Sequence, residues 1–191
     1  NRAVLFNGVD TTQTITGATT FDYVVVNKTG TLGTVTLASP IVINKDLTLT
    51  NRYLVLGAFN LTLPNKSSVT TSSATSYIIA TSTGKLIRQN LDGTSDWTFP
   101  MGANTAGRYV PITIKNLSGV TEIQVSTNTT LSKSVATAAN TLKTEWRLTT
   151  TNNVTANIKA DWTSAEQNTG VVNPGSGDLG VYNSTVASNY L

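Results

Sequence analysis

Two pairs of aspartates are the residues of this sequence whose type and spacing best suit chemistry. Asp22 and Asp46 lie 24 residues apart, so adjacent coils of a β-solenoid could stack them on one wall beside Lys45 and Arg52. Such carboxylates can bind calcium, and a neighbouring basic side chain could then act as the base of a polysaccharide lyase. We favour the alternative that all four are solvated corner residues.

The second pair is Asp92 and Asp96, which frames a short segment rich in side-chain oxygens. Loops of this composition bind calcium in other proteins. The segment also contains Gly93 and is typical of a turn that links two domains, which is the interpretation we favour. The sequence therefore predicts no cofactor, and calcium is the alternative.

Histidine and cysteine are both absent from the chain. Nucleophilic triads depend on a base such as histidine, and the usual zinc sites need histidine or cysteine ligands. The sequence excludes these classes of catalysis, and we predict that the protein is not an enzyme.

Three tryptophans offer a different kind of site. Trp97, Trp146 and Trp162 could line a platform for glycans, because flat aromatic faces suit pyranose rings. Each of them also falls within a strand candidate, where packing in a core is the commoner role. A glycan-binding module of a secreted protein is accordingly the alternative function.

The charges point neither to nucleic acid nor to a membrane. The net charge is +3, but the basic residues are scattered singly, whereas a nucleic-acid surface needs a clustered basic patch. No apolar run approaches the roughly 20 residues that span a bilayer. Weak attraction to acidic surface polysaccharide stays open as a partner.

The elements that would position these residues can be read from segment 46–65. Three leucine pairs recur in it at a step of seven, and the two leucines of each pair are two positions apart: Leu47/Leu49, Leu54/Leu56 and Leu61/Leu63. A spacing of two places both side chains on one face of a strand. Corner residues such as Asn51, Gly57 and Asn65 separate the pairs. The pattern predicts three short strands per circuit and about 21 residues per coil of a β-solenoid.

The spacing of strands and turns divides the chain into two regions. Threonine, which favours strands, makes up 36 of the 191 residues, and asparagine, which tolerates tight bends, makes up 19. Short alternating strands run to about residue 90, and longer, more aromatic strands follow. We predict an all-β fold in which a short β-solenoid (residues 1–90) leads into an antiparallel β-sandwich (residues 91–191).

A single coil of this size cannot be stable alone. Burial of six leucines does not offset the conformational entropy of ordering about 21 residues, so each coil needs neighbours. The strand pattern begins by residue 3 without a polar or helical cap. Because an uncovered end coil is an adhesive edge, we predict that copies of the chain, or further repeats, join there.

Several segments resemble a known group of proteins. They are residues 15–27, 76–79, 84–88, 97–102 (WTFPMG) and 109–112 (YVPI). Together they are similar to the Thr/Asn-rich β-repeat regions of large secreted cell-surface proteins of Bacteroidota, including gliding-type adhesins exported by the type IX system. The resemblance implies an extracellular protein at the cell surface with an adhesive or structural role, and it assigns no catalytic residue to this chain.

The same resemblance implies a modification site. Hosts of that family often attach O-glycans at Asp followed by Thr or Ser and then by an apolar residue or Thr, and Asp10, Thr11 and Thr12 match this pattern. O-glycosylation is therefore expected at Thr11. Residues and resemblance together predict an extracellular structural or adhesive protein, a self-assembling surface fibre or adhesin subunit joined through β-strand edges.

Overall fold

The computed structural model describes residues 3–105, 107–130, 142–163 and 166. All regular elements in these ranges are β-strands, which confirms the predicted all-β class. In chain order they are β1 (Ala3–Phe6), β2 (Gln13–Ile15), β3 (Thr19–Asn27), β4 (Thr34–Leu37), β5 (Ile41–Asn51), β6 (Tyr53–Val55), β7 (Leu61–Leu63), β8 (Ser68–Thr70), β9 (Ile78–Ile79), β10 (Leu86–Leu91), β11 (Trp97–Phe99), β12 (Met101–Gly102), β13 (Ile112–Lys115), β14 (Thr121–Asn128), β15 (Glu145–Thr150) and β16 (Asn157–Ala160).

Parallel pairing between successive strands builds a β-solenoid. One sheet holds β1, β3, β5, β7 and β10 in parallel order with β8 beside β5, and a second sheet holds β2, β4, β6, β9 and β12. Residues paired on adjacent coils are separated by 19 positions for Thr34 and Tyr53 and by 25 for Leu61 and Leu86. The predicted coil of about 21 residues lies in this range, and the five strands of the second sheet mark five coils.

The central coils have three walls, as the leucine pairs predict. The first part of β5 pairs with β7, where Ile41 lies opposite Leu61, and its later part pairs with β8, where Leu47 lies opposite Val69. The third wall is formed by β6 between β4 and β9. The bend between the first two walls coincides with a register shift in the pairing of β3 with β5.

Side chains alternate between the two faces of each strand, and the apolar ones fill the interior of the coils. All six leucines of the three predicted pairs are fully buried. Val24 of the preceding coil lies opposite Leu47, so apolar columns run along the solenoid. The intervening residues lie on the outer face, where the hydroxyl oxygens of Thr48 and Thr70 are 3.3 Å apart and link two coils.

Asparagines hold corners of the solenoid. Asn65 follows β7 and Asn90 lies near the end of the adjacent β10, and their φ angles are 52° and 57°. Asparagine tolerates this left-handed conformation better than most residues. The side-chain amide of Asn90 donates a hydrogen bond of 2.9 Å to Asn65 Oδ1, so the corner residues also tie one coil to the next.

Parallel stacking in the first sheet ends at β10. One edge of β10 pairs with β7 in parallel, and the other pairs antiparallel with β14, which in turn pairs antiparallel with β15. A separate antiparallel sheet has the order β11-β13-β16. Phe99, Ile112 and Ile123 of these strands belong to the same hydrophobic core as the solenoid leucines. The division of the chain at residue 90 stays a prediction.

Candidate functional site

The first coil has a free edge on two of its walls. Within the described ranges, β1 pairs only with β3, and β2 pairs only with β4. Their outer edges therefore present backbone N–H and C=O groups that no described strand covers. Large apolar side chains are exposed beside this edge, since Val4 is 39%, Leu5 51% and Val9 64% exposed. We call residues 3–15 the open rim.

The charged groups at the open rim are engaged within the chain. Asp10 is the one charged residue of segment 3–15, and its carboxylate accepts hydrogen bonds from the next coil, including one of 2.8 Å from the backbone N–H of Leu32. Lys28, which lies in that next coil, is completely buried. Its Nζ donates to Asn7 O at 3.3 Å and to Gln13 Oε1 at 3.1 Å. The open rim consequently presents apolar and hydroxyl groups rather than free charges.

The opposite end of the solenoid is covered by the chain itself. In the first sheet β14 occupies the far edge of β10. In the second sheet the segment after β12 folds back, because Gly102 forms an antiparallel bridge with Tyr109 and the N–H of Ala103 donates to Arg108 O at 2.9 Å. The two ends of the solenoid therefore differ in kind.

Arg88 supports this closure from inside. The residue is 5% exposed, and its guanidinium donates to Thr98 O at 2.7 Å and to Ser67 O at 2.9 Å. The same group lies 5.2 Å from the ring centre of Trp97, a cation–π contact. Burial lowers the pKa of Arg88 to about 10, so the side chain is still cationic at neutral pH. Arg88 thus joins β10 to the preceding coil and to β11.

Three tyrosines stack outside the main core, on the second sheet. The ring centres of Tyr53 and Tyr77 are 4.6 Å apart, and those of Tyr77 and Tyr109 are 5.5 Å apart. Tyr77 is fully buried, and its hydroxyl donates to Asn104 O. Burial raises the pKa of Tyr77 well above its usual value of 10.0, and burial also raises the pKa of Tyr109. Ionisation of either hydroxyl at alkaline pH is therefore expected to destabilise the fold.

The variant Tyr77→Phe should make the protein less sensitive to alkali. A raised pKa means that the neutral phenol is favoured in the folded state, so the stabilisation is complete below pH 10.0 and falls as the pH rises above it. The slope for one such group is at most about 1.4 kcal/mol per pH unit. Urea unfolding measured at several pH values should show a shallower alkaline decline in the variant, with the contribution of Tyr109 remaining. An unchanged decline would contradict this assignment.

Asp22 and Asp46 lie on adjacent strands, and each carboxylate is hydrogen-bonded to its own neighbours. Asp22 is exposed; its carboxylate accepts from the Asn44 side chain at 3.3 Å, and Lys45 Nζ is 4.0 Å away. Asp46 accepts hydroxyl hydrogen bonds from its neighbours on the outer face, including Thr48 at 2.6 Å. The geometry is that of hydrogen-bonded residues on the outer face.

Asp92 and Asp96 are each paired with a lysine. Lys66 Nζ lies 2.5 Å from Asp92 Oδ2, and Lys115 Nζ lies 2.5 Å from Asp96 Oδ2. The hydrogen bond from Lys66, with those from Thr94, lowers the pKa of Asp92 to about 2. Each carboxylate is therefore already compensated by a cation. Among the described residues no three histidine, cysteine, aspartate or glutamate side chains lie close enough together to hold a metal ion.

The three tryptophans differ in exposure. Trp97 is 7% exposed and belongs to the hydrophobic core, with its Nε1 donating to Asp92 O at 2.7 Å. Trp146 and Trp162 are half-buried and pack against the same core. The indole N–H of Trp146 donates to Val110 O at 2.8 Å. A platform for glycans would have to be built from the exposed parts of Trp146 and Trp162.

Thr11 lies on the open rim with an exposed side chain. The adjacent Thr12 places its hydroxyl 3.2 Å from that of Thr34 on the next coil. The hydroxyl of Thr12 is thus engaged with the next coil, and the side chain of Thr11 is exposed to solvent. O-glycosylation at Thr11 stays a prediction.

Sequence reasoning missed the buried polar contacts. Arg108 donates from Nε to Glu166 Oε1 at 2.6 Å and from Nη2 to Glu166 Oε2 at 2.9 Å, and Glu166 is completely buried. No local pattern could reveal a pair 58 positions apart. A signal for the tyrosine stack did exist, because Tyr53 and Tyr77 are separated by 24 residues, close to one coil.

Surface depressions on the described residues are shallow. One of about 280 Å³ is lined by polar residues of β10, β14 and the segment after β15, including Gln89, Glu122 and Asn152. The carboxylate of Glu122 in this depression already accepts a hydrogen bond of 2.8 Å from Gln89 Nε2. No helix long and apolar enough to cross a membrane is found in the described ranges. Within the described ranges, the open rim combines unpaired strand edges with exposed apolar side chains.

Comparison with models of protein families, with curated proteins and with solved structures produced no match for this chain. The geometry of the open rim and the sequence resemblance are therefore the two observations that bear on function.

Proposed function

We propose that this chain is an extracellular structural or adhesive protein, a subunit of a surface fibre or adhesin that joins other copies through β-strand edges. The observation that supports the proposal is the open rim, where β1 and β2 each have one edge without a described partner. Val4, Leu5 and Val9 are exposed beside these edges. Covering them would bury apolar surface and pair backbone groups at the same time.

The composition of the open rim favours joining over protection. Natural proteins prevent unwanted pairing at exposed strand edges with lysine, proline, bulges or a covering loop. Segment 3–15 contains no lysine, arginine or proline, and the carboxylate of Asp10 is hydrogen-bonded within the chain. The far end of the solenoid, in contrast, is covered by β14. The open rim thus lacks the features that protect exposed edges in other proteins.

Location and partners belong to the same proposal. The resemblance to secreted surface proteins of Bacteroidota supports an extracellular position, with surface polysaccharide as a second partner and O-glycosylation at Thr11.

We also infer that the antiparallel strands after residue 90 complete a β-sandwich. Their apolar side chains, such as Phe99 and Ile112, already share the core of the solenoid. Burial of Trp97 gives no support to the alternative of a three-tryptophan glycan platform.

Sedimentation velocity of the 191-residue chain over a range of concentrations tests the proposal. We expect association with a micromolar dissociation constant, which corresponds to about 8 kcal/mol. The mean mass should therefore rise with protein concentration up to roughly 100 µM. Electron microscopy of the same samples would show the form of the assemblies. A uniform monomer over the whole range would overturn joining through strand edges.

A further inference from the structure

We propose that Lys28 and Gln13 form a covalent cross-link, an isopeptide bond between Lys28 Nζ and Gln13 Cδ that fastens the first coil to the second. The two residues are 15 positions apart, and Nζ lies 3.1 Å from Gln13 Oε1. Gln13 belongs to β2, and Lys28 directly follows β3. The bond forms within one chain, so the inference goes beyond the proposed function and does not depend on how copies join.

The environment of Lys28 is unusual for a lysine. Its side chain is completely buried, and Nζ donates to two neutral oxygens, Asn7 O at 3.3 Å and Gln13 Oε1 at 3.1 Å. Lysine is almost never fully buried unless it is paired, and within the described ranges Lys28 forms no ion pair. Burying a charge without an opposite charge costs free energy. A reaction that removes this charge from the interior is therefore favoured.

The cross-linking reaction needs no further reactant. Lys28 Nζ attacks Gln13 Cδ as a nucleophile, a bond forms between these two atoms, and the bond from Cδ to Nε2 breaks. Two of the three protons of the lysine ammonium group are transferred to the departing nitrogen, which leaves as an ammonium ion. Nothing is oxidised or reduced. The product is a neutral secondary amide, and the positive charge passes from the interior into water.

Packing around Lys28 holds the two reacting groups together. A Cβ atom at Gly33 would lie 2.9 Å from Lys28 Cε, so glycine at this position leaves the space that the lysine side chain occupies. The hydrogen bond to Asn7 O holds Nζ from a second direction. Well-oriented groups in one molecule react as if at an effective concentration of roughly 10⁵–10⁸ M. Because amines attack amides slowly in water, the reaction depends on this proximity.

A second lysine–glutamine contact in the chain provides an internal comparison. Lys85 Nζ lies 2.9 Å from Gln124 Oε1, but both residues are only half-buried. Gln124 Nε2 also donates to Glu122 Oε1 at 2.7 Å. Since water can still solvate the ammonium group of Lys85, losing its charge brings little gain. We expect no cross-link between Lys85 and Gln124.

Mass spectrometry of the intact chain tests the proposal. The cross-linked chain should be lighter than its sequence requires by the mass of one ammonia, about 17 Da. Trypsin, which cleaves after lysine and arginine, should not cleave after Lys28 and should release residues 3–45 as one cross-linked peptide. Lys28→Met and Gln13→Leu should each retain the full calculated mass, whereas the matched control Lys85→Met should lose one ammonia as the native chain does. Circular dichroism verifies that the variants are folded.

Two results for the native chain would overturn the cross-link. The first is the full calculated mass with tryptic cleavage after Lys28, both before and after prolonged incubation. The second is loss of ammonia with that cleavage intact, because the ammonia would then come from another site, such as Asn7 beside Gly8. A cross-link at Lys85 as well would overturn burial as the feature that selects Lys28. Sedimentation velocity is a separate measurement, so failure of the cross-link would leave the proposed function standing.

Discussion

Replacement of Arg88 by alanine is expected to lower the free energy of unfolding by about 3 kcal/mol or more. The substitution leaves Thr98 O and Ser67 O without their donor, and a buried carbonyl without a partner costs about 1–3 kcal/mol. It also removes the cation–π contacts with Trp97 and Phe99, whose ring centres lie 5.2 and 5.7 Å from the guanidinium. Because these contacts join the last coil to the antiparallel strands, the closure of the solenoid should loosen with them.

Urea unfolding followed by tryptophan fluorescence measures the loss, since Trp97 lies beside the substituted residue. Arg88→Lys should recover little of the stability, because a single ammonium cannot reproduce the two-armed guanidinium contact. Arg147→Ala is the control: Arg147 is an exposed residue paired with Glu145 at 2.7 Å, and such surface pairs contribute roughly 0–1 kcal/mol. Equal effects of the two alanine substitutions would show that Arg88 does not hold the closure.

The coils were predictable because their signal is local. Each leucine pair needs only the alternation of a strand to face inward, and Leu47 and Leu61 are both fully buried as that alternation requires. The asparagine corners are local as well, since Asn65 and Asn90 adopt the left-handed backbone that their type tolerates. A fold built from repeated short-range patterns is thus visible in a single sequence.

The closure and its buried polar residues were not predictable in the same way. Pairing of β10 with β14 joins residues 30 to 39 positions apart, such as Leu86 with Val125, and no alternation within either strand specifies that register. Lys28 and Arg88 look like solvated cations in the sequence, yet both are buried. Their environments depend on backbone carbonyls supplied by other coils, which leave no residue-specific signature.

The candidate site was partly visible from sequence. The strand pattern near residue 3 predicts β1, and the exposure of Val4 and Leu5 gives the described edge its apolar character. The engagement of Asp10 with the N–H of Leu32 was not visible, because it depends on how two coils stack. That contact bears on the proposed joining surface, since it engages the one charged side chain of segment 3–15.

Gly84→Ala is expected to destabilise the protein by about 3 kcal/mol, toward the upper end of overpacking effects. A Cβ atom at this position would lie 2.3 Å from Phe59 O and 2.7 Å from Gly57 O, both backbone atoms of the turn on the preceding coil. Backbone cannot rotate away as a side chain can, so the two coils would have to separate. Separation would strain the hydrogen bond of 3.0 Å from Gly84 N to Gly57 O.

Gly119→Ala separates this steric effect from the general effect of replacing glycine. A Cβ atom at Gly119 would lie 3.8 Å from Val154 Cγ1, an ordinary contact, and the loss of unfolded-state freedom favours alanine by about 0.4–1 kcal/mol where the backbone allows it. Thermal and urea unfolding should therefore show a large loss for Gly84→Ala and little change or a gain for Gly119→Ala. If Gly84→Ala had the same free energy of unfolding as the native chain, the two coils would not be closely packed at this turn. Close stacking of successive turns could then not be what aligns the coils.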